Sequence, residues 1–517
     1  MPASWGYSPK VEKYIPLGEF PAEQYLVVAL KAIENLGWKL SHLSESGLIA
    51  YTNLSWQSYT EEISIRIKSN FAIVKSECVG IQLLFNDYSK NSDNLDKFFN
   101  EFEYVEFHLK DVWNEEVQNY QERAALSSNS YFETAPLASK EKIRNVLHLF
   151  VPRKGYLVTP IIIDLNIIYF LFSFILLVAK SVVLANKGNG YTDLENFYTN
   201  FYYSIGANNR HLTLSGNFWR LTSNTFIHFS VLHLFSNTYA LAYIGLMTEN
   251  KLGPKKFLLA YLLSGICGST LSLIYHPTGI MGGASGAIMG MFGVFLAMLA
   301  TDLFEKNARK AMMISTALVI ALMLFNGMGK QIDNAAHVGG LISGFIIGLL
   351  FTVKINNPPF LNTDALRYGA VITSISLIVS GSLYSIPDYQ LERFKELNNA
   401  YLENQLLTRD VFSYIYYADK QEKLQHIKEK GVEPWDKNFR VTAEMERLKL
   451  PEVLCRKVKR MITYSRLQKQ SFKLLYKECF EGTKKYRPEI NNLTVQMNNI
   501  IREDLKDSND KWLEYVK

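Results

Sequence analysis

Polar and apolar residues are segregated along the chain into three regions. Residues from about 158 to 386 contain long runs with almost no charge, whereas the stretches before 150 and after 388 are rich in charged and aromatic residues. A membrane-spanning helix needs about 20 mostly apolar residues. The middle region therefore predicts membrane helices, and the two flanking regions predict soluble structure.

Seven runs in the middle region have the composition of a membrane span. Their predicted bounds are 158–183, 226–247, 257–275, 283–301, 311–326, 335–353 and 368–386. The last run is rich in Ser and Thr, so a bundle of six spans is the alternative. We predict an all-α polytopic membrane bundle of six plus one helices, with the six-span core at 151–355 and a linker and seventh span at 356–387.

The region before the bundle, residues 1–150, predicts a soluble α+β domain. Residues 22–36 have helical spacing, whereas 48–56 and 63–74 alternate with the period of strands. Residues 93–123 predict one long amphipathic helix, with Asp93 as its N-cap.

The region after the bundle, residues 388–517, predicts several amphipathic helices, for example over 451–480. Neither flanking region contains a catalytic motif. We expect them to serve regulation or the capture of client proteins, so deleting 1–150 is expected to alter substrate choice but to leave cleavage of a generic substrate.

The distribution of basic residues predicts the orientation. The net charge of +6 and the pI near 8.7 are typical of a membrane protein whose Lys and Arg set its topology, and no nucleic-acid motif is present. Arg153 and Lys154 precede the first span. Further basic residues fall in alternate loops, namely Lys251, Lys255, Lys256, Lys306, Arg309, Lys310, Lys354 and Arg367. The N-terminal domain is therefore expected in the cytoplasm, with the C-terminal region outside for seven spans and inside for six.

Four cysteines, Cys78, Cys267, Cys455 and Cys479, have no metal-ligand spacing, and no metal or cofactor is expected. Cys455 and Cys479 are interpreted as free thiols, or as a pair if their region faces an oxidising compartment. Residues 1–13 lack the apolar core of a signal peptide, so the first span is expected to act as the insertion signal.

Polar groups within the bilayer are unfavourable and point to function. Ser285 lies in Gly283-Ala284-Ser285-Gly286 at the start of the fourth span, and His337 lies at the start of the sixth. Both spans run in the same direction, so the two residues are expected at similar depth. Either residue alone has an ordinary explanation, small-residue packing for Ser285 and a helix-end histidine for His337.

Glycines predict that these two helices approach each other closely. Gly340, Gly344 and Gly348 recur at every fourth residue on the sixth span, as Gly286 and Gly290 do on the fourth. Close approach would bring the Ser285 hydroxyl within reach of His337, as a nucleophile and its general base require.

His233 and Asn237 lie four residues apart near the same end of the second span, so they share a helix face. Both side chains donate hydrogen bonds, which suits an oxyanion formed when Ser285 attacks a carbonyl. The alternative is a buried polar pair that bonds within the bundle. The combination of four such groups at one depth favours the catalytic interpretation.

These motifs together resemble the rhomboid family of intramembrane serine proteases over about 158–353. The matching positions are Trp219-Arg220 in the first long loop, His233 with Asn237, Glu249 with Gly253, Gly283-Ala284-Ser285-Gly286, and Ala336-His337 with Gly340 and Gly344. The resemblance implies a Ser–His dyad without a catalytic aspartate, transmembrane proteins as substrates, and a partly membrane-embedded loop around Trp219 and Arg220.

Two positions qualify the resemblance. Asp333 lies four residues before His337 and is interpreted as a loop or capping residue, with a third catalytic member as the alternative. Met289 stands where many family members carry an aromatic residue, and methionine can pack against a ring in the same space.

Two other classes of function compete. A catalytically silent rhomboid-like scaffold that binds membrane clients would tend to lack the serine or the histidine. A transporter would carry polar groups through the full membrane depth. We predict an integral membrane endopeptidase, in a bacterial cytoplasmic membrane, with its active site open to the external side.

Overall fold

A computed structural model describes residues 9–55, 58–80, 87–109, 113–126, 131–143, 145–186, 194–277, 279–301, 303–326, 332–353, 363–417 and 419–508. These residues form two compact units. The larger comprises the residues up to His276 and Ile280–Ser385, and the smaller comprises Pro277–Gly279 and the residues from Ile386 onward, as far as these are described. Lys354, the linker residues 356–362 and residues 187–193 lie outside the described residues.

One antiparallel sheet organises the N-terminal region. Its strands are β1 (Lys10–Pro16), β2 (Lys39–Ser44), β3 (Gly47–Tyr51), β4 (Glu61–Lys68) and β5 (Phe71–Cys78), in the spatial order β1-β5-β4-β3-β2. The strand-like alternation predicted over 63–74 belongs to two strands, because Lys68 pairs with Phe71 across a tight turn. The turn residue Ser69 has a φ of +52°, and a two-residue polar turn is too short to interrupt the alternating pattern.

Three helices cover one face of this sheet: α1 (Ala22–Asn35), α2 (Lys90–His108) and α3 (Trp113–Ala124). The predicted helix over 22–36 is confirmed. The predicted single helix over 93–123 is instead two helices, and Asp93 lies in the first turn of α2 rather than at its N-cap, which is Ser89. Leu48, Ala50, Ile63 and Val74 of the sheet pack against these helices.

The opposite face of the sheet belongs to the core of the membrane bundle. Ile49, Tyr51 and Val79 are buried in one cluster with residues of the bundle. A connecting segment completes this cluster, with α4 (Tyr131–Thr134) and the 3-10 helices Ala138–Lys142 and Val146–Leu149. Since apolar contacts continue from sheet to bundle, the two predicted domains share one core.

Charged side chains are buried where the connecting segment covers the sheet. Lys75 pairs with Glu77 at 3.0 Å, and Lys140 of the segment lies beside them. Burial lowers the pKa of Lys140, which nearby Glu77 and Glu62 partly offset. A buried charge requires partners, so this cluster fixes the position of the segment on the sheet.

Helices α5 to α14 build the bundle and the loop at one end of it. They are α5 (Val158–Asn186), α6 (Leu194–Ser204), α7 (Arg210–Leu214), α8 (Arg220–Ser223), α9 (Val231–Leu252), α10 (Pro254–Tyr275), α11 (Ser285–Ala300), α12 (Lys306–Asn326), α13 (Asn334–Thr352) and α14 (Asp364–Ser385), with a 3-10 turn at Asn224–Phe226. Each predicted span thus corresponds to a helix. The start of the second helix is displaced from 226 to Val231, because Ser230 caps it by accepting a bond from the His233 amide.

Among the described residues, five of these helices are long and apolar enough to cross a membrane: α5, α10, α12, α13 and α14. Helix α11 is apolar but has 16 residues. It is also the helix with the deepest burial, since every residue from Gly286 to Phe295 is buried. Helix α11 therefore lies at the centre of the bundle, with Ser285 at its N-terminus.

Opposite ends of the bundle carry different structures. At the Ser285 end, helices α9, α11 and α13 begin and the loop with α6, α7 and α8 is folded. At the sheet end, the Glu249 carboxylate of α9 accepts bonds from the amides of Leu157, Val158 and Thr159 at 2.6–2.9 Å. Four amides at a helix start lack partners within the helix, so Glu249 caps α5. Gly253, with a φ of +80°, then ends α9.

The smaller unit is helical. It contains α15 (Leu391–Leu406), α16 (Val411–Tyr417), α17 (Lys420–His426), α18 (Glu433–Glu446), α19 (Glu452–Glu481) and α20 (Arg487–Ser508), with a π-helical stretch at Ile427–Val432. Helix α19 matches the helix predicted over 451–480. All four cysteines of the chain are free, including Cys455 and Cys479 of this unit.

Candidate active site

Ser285 is the first residue of α11 and follows a turn that only glycine adopts easily. Gly283 has a φ of +138°, in a backbone region that other residues rarely occupy. Its amide donates to the carbonyl of Asn224 at 2.8 Å. The turn therefore fixes the half-buried Ser285 at the mouth of the bundle, where the first amides of α11 are not used within the helix.

The predicted glycine faces of α11 and α13 are in backbone contact. A methyl group on Gly340 would lie 1.9 Å from the carbonyl oxygen of Gly286, and one on Gly344 would lie 1.9 Å from that of Gly290. These distances leave no room for any side chain. The two helices approach each other as closely as the sequence predicts.

This contact brings the beginnings of α11 and α13 together. A methyl group on Gly286 would lie 3.4 Å from the carbonyl oxygen of Ala336. Ser285 precedes Gly286 and His337 follows Ala336, so the two side chains leave from adjoining turns of contacting helices.

His337 is a buried histidine near the start of α13. Its side chain is 4% exposed, and neither ring nitrogen has a hydrogen bond within the described part of the chain. An imidazole that served packing alone would be expected to bond a carbonyl or hydroxyl. Here, neither ring nitrogen is engaged by the described residues around it.

His233 and Asn237 lie on the face of α9 that is turned toward this turn. A methyl group on Gly283 would lie 2.8 Å from Nε2 of His233 and 3.8 Å from Oγ of Ser285, so the ring and the hydroxyl flank the same glycine. Asn237 is buried one turn further along, and its Nδ2 has no hydrogen-bond partner among the described residues. The site thus holds a hydroxyl, two imidazoles and an amide donor.

The loop before α9 is held by two arginines, of which the sequence pointed to one. Arg220 donates to the carbonyls of Tyr203 and Ala207 at 2.8 and 2.7 Å, and its guanidinium lies 4.7 Å from the ring of the exposed Trp219. Arg210, which sequence reasoning missed, is buried. It donates to the last carbonyls of α10, those of Leu273 and Ile274, at 2.7 Å each.

Asn224 and His228 are two further polar residues of the site that sequence reasoning missed. The Asn224 amide bonds Ser269 of α10 at 2.9 Å. The His228 ring lies 5.1 Å from that of His233 in an edge-on arrangement. Both lie within nine residues of His233, which was a usable signal, but Ser269 lies 45 residues after Asn224 and only the fold reveals that partner.

Asp333 is the N-cap of α13. Its Oδ1 accepts a bond from the Ala336 amide at 2.9 Å, and its carboxylate also contacts the Ser272 hydroxyl and Nε2 of His276, the latter at 3.3 Å. Burial alone would raise the pKa of Asp333, but the bonds from His276 and Ser272 hold it below its ordinary value. The capping role agrees with the first interpretation of this residue.

Met289 is fully buried in the bundle core. It lies one turn after Ser285 on α11, which places it deeper in the bundle than the Ser285 hydroxyl. Methionine fills this space without adding a polar group.

The fold and its apolar helices define the class of protein: an integral membrane protein built on a multi-pass helical bundle. Residues 215–354 match the model of the rhomboid domain, so this part of the chain is similar to the rhomboid family. The matched region contains the Ser285 turn, α13 and the last part of the loop before α9, including Trp219 and Arg220.

Several curated proteins are similar to the same part of the chain. RHOMBOID-like protein 1 of Arabidopsis thaliana is 33% identical over 178 residues, which cover 32% of this chain and 46% of that protein. Rhomboid protease GluP of Bacillus subtilis is 33% identical over 181 residues, or 34% and 33% of the two chains. Rhomboid-like protease 1 of Toxoplasma gondii is 32% identical over 164 residues, or 31% and 56%. The chain thus spans about half the length of these relatives, or less.

Proposed function

We propose that the protein is an intramembrane serine endopeptidase that cleaves membrane-anchored proteins in or near their transmembrane segments. The observation that carries the proposal is that Ser285 and His337 leave from adjoining turns where Gly286 of α11 contacts Ala336 of α13, while neither ring nitrogen of His337 has a hydrogen bond among the described residues. Two of the relatives are named proteases, which supports the same conclusion.

In the proposed reaction His337 removes the hydroxyl proton as Ser285 attacks a peptide carbonyl. The oxyanion accepts hydrogen bonds from His233, from Asn237 and from the backbone amide of Ser285, which is available at the start of α11. His337 then protonates the leaving amine, and water hydrolyses the acyl-enzyme. Because the base must be neutral, activity is expected to fall as the pH decreases through the pKa of that imidazole.

The site is accessible from one end of the bundle, since Ser285 is half-buried at the N-terminus of α11. A substrate must therefore unwind near this end to present an extended peptide bond. From the basic residues at the sheet end, such as Arg153 and Lys154, we place the sheet in the cytoplasm and the site on the external side.

The test is cleavage of a model transmembrane substrate by purified protein in liposomes. Ser285→Ala is expected to abolish cleavage and also labelling by a fluorophosphonate probe. Ser343→Ala is the matched control, because the Ser343 hydroxyl is buried and bonds carbonyls of its own helix at 2.7 and 3.0 Å. Cleavage by Ser285→Ala protein would refute the nucleophile, whereas a wild type that neither cleaves nor labels would favour a silent scaffold.

A further inference from the structure

Asp333 bridges two helices at the Ser285 end, and this bridge lies close to the proposed base. Its carboxylate contacts Ser272 and His276 at the end of α10 while it caps α13 through the Ala336 amide. His337 is the residue directly after Ala336. A single side chain thus joins the end of one helix to the turn that carries the imidazole.

The hydrogen bonds of the Asp333 carboxylate differ from those of the aspartate in a catalytic triad. In a triad, the carboxylate bonds the ring of the base and orients it. Here the two oxygens bond Ser272, His276 and the Ala336 amide, and no bond from either His337 nitrogen occurs among the described residues. Asp333 acts on the backbone of α13 instead.

The packing around the bridge explains why a directional contact is needed. A methyl group on Gly268 of α10 would lie 2.6 Å from the Ala336 oxygen, and one on Gly339 would lie 2.9 Å from Cβ of Leu271. Glycine surfaces are smooth, so they permit close approach without specifying rotation about the helix axis. Successive residues of a helix differ by about 100°, and a small rotation would therefore turn the imidazole away from Ser285.

We propose that Asp333, held by Ser272 and His276, is a positioning residue that sets the rotation and height of α13 and so directs His337 toward Ser285. This inference rests on the proposed function. A misplacement of about 1 Å between reacting groups reduces rate by about 100-fold, so loss of the bridge is expected to act on kcat and not on substrate binding.

The experiment compares variants that remove the bridge with variants that preserve its geometry. Asp333→Ala removes all three contacts and is expected to lower kcat by about 10- to 100-fold, with KM within about twofold. Asp333→Asn keeps one oxygen for the Ala336 amide and places its NH₂ group where it can donate to the Ser272 hydroxyl, so it is expected to recover most of kcat. His276→Gln keeps a donor toward Asp333 and is expected to behave like wild type, whereas Ser272→Ala is expected to be intermediate.

A remote helix cap provides the control. Asp419 caps α17 by accepting a bond from the Glu422 amide at 2.8 Å, and Asp419→Ala is expected to leave kcat unchanged. The rate of fluorophosphonate labelling of Ser285 is measured in parallel, because it reports activation of the nucleophile without substrate binding.

Three outcomes would overturn the inference. An Asp333→Asn protein as inactive as Ser285→Ala would show that the negative charge of Asp333 takes part directly in catalysis. Unchanged kcat in Asp333→Ala would leave Asp333 a structural cap. The same holds for a loss of kcat in Asp333→Ala that only follows a loss of folded protein, with no recovery of kcat in Asp333→Asn. Failure of the proposed function is distinguishable, since the wild type itself would then neither cleave nor label.

Discussion

At the scale of single residues, the site contains buried nitrogen atoms without hydrogen-bond partners in the described part of the chain. Both ring nitrogens of His337 and Nδ2 of Asn237 are in this state within the described part of the chain. An unsatisfied buried polar group costs about 1–3 kcal/mol, so such groups are few in folded proteins. A peptide carbonyl and a serine hydroxyl would satisfy them, which is why we infer a substrate-binding role.

Replacing Asn237 tests its role as an oxyanion donor. Asn237→Ala is expected to lower kcat by about 10²–10³ with little change in KM, as for other single oxyanion donors. Asn237→Asp, which keeps the shape but replaces the donor with an acceptor, is expected to be at least as damaging. Steady-state cleavage of a transmembrane substrate in liposomes measures both. A loss below threefold in both variants would contradict the assignment.

At the scale of elements, α11 and α13 meet through backbone atoms. The contacts of Gly340 and Gly344 with the carbonyls of Gly286 and Gly290 leave no space for a methyl group. Rigid backbone cannot yield as a flexible side chain can, so any added atom must separate the helices. The position of His337 relative to Ser285 depends directly on that separation.

Gly340→Ala tests this dependence. The added methyl group is expected to destabilise the bundle by about 1–3 kcal/mol and to reduce cleavage by at least about tenfold, because the helices must move apart. Gly369→Ala is the matched control on α14, since no atom lies within 4 Å of its added methyl group. Thermal unfolding in detergent and cleavage rate are measured together. Full activity in Gly340→Ala would show that the close approach is not needed.

The cap of α5 by Glu249 makes a second prediction at this scale. Its oxygens accept from three amides and from the Thr159 hydroxyl, the last at 2.7 Å. Glu249→Gln is expected to destabilise the bundle by at least about 2 kcal/mol, because the new NH₂ group would face at least one backbone amide, which can only donate. Thr159→Val, which removes one donor, is expected to destabilise the bundle by a smaller amount. Equal thermal unfolding midpoints for Glu249→Gln and the wild type would contradict the capping role.

At the scale of the whole molecule, the N-terminal sheet and the bundle are one structure. Tyr51 of the sheet and Leu137 of the connecting segment are fully buried in the same cluster as the bundle residues. Gly80 approaches α12, since a methyl group there would lie 2.6 Å from the Ser315 hydroxyl. The sequence alone predicted a separable domain whose loss would change only regulation or substrate choice.

The shared core predicts a different effect of truncation. Deleting 1–150 is expected to lower the thermal midpoint and the yield of folded protein, because each large apolar side chain removed from the core contributes about 1.5–3 kcal/mol. Leu137→Ala is expected to cost about 2–5 kcal/mol. Phe107→Ala is the control, since that side chain is 68% exposed. A truncated protein as stable as the full chain would instead support an N-terminal domain that folds independently of the bundle.

The sequence by itself determined the helices of the bundle and the residues proposed for chemistry. Apolar runs of membrane length and glycines at every fourth position are local patterns, so Ser285, His337 and the contacting faces of α11 and α13 could be predicted. The limits of this information are visible at turns and caps. The hairpin at Ser69 and the break between α2 and α3 leave the local periodicity almost unchanged.

Only the tertiary structure decided which distant groups meet. Arg210 bonds carbonyls more than 60 residues further along the chain, Asp333 bridges α13 to α10, and the sheet shares its core with the bundle. Each of these contacts depends on how whole elements pack against one another, because a donor or an apolar surface has many equivalent partners along a sequence. Periodicity specifies which face of a helix is apolar, whereas packing selects the neighbour that covers it.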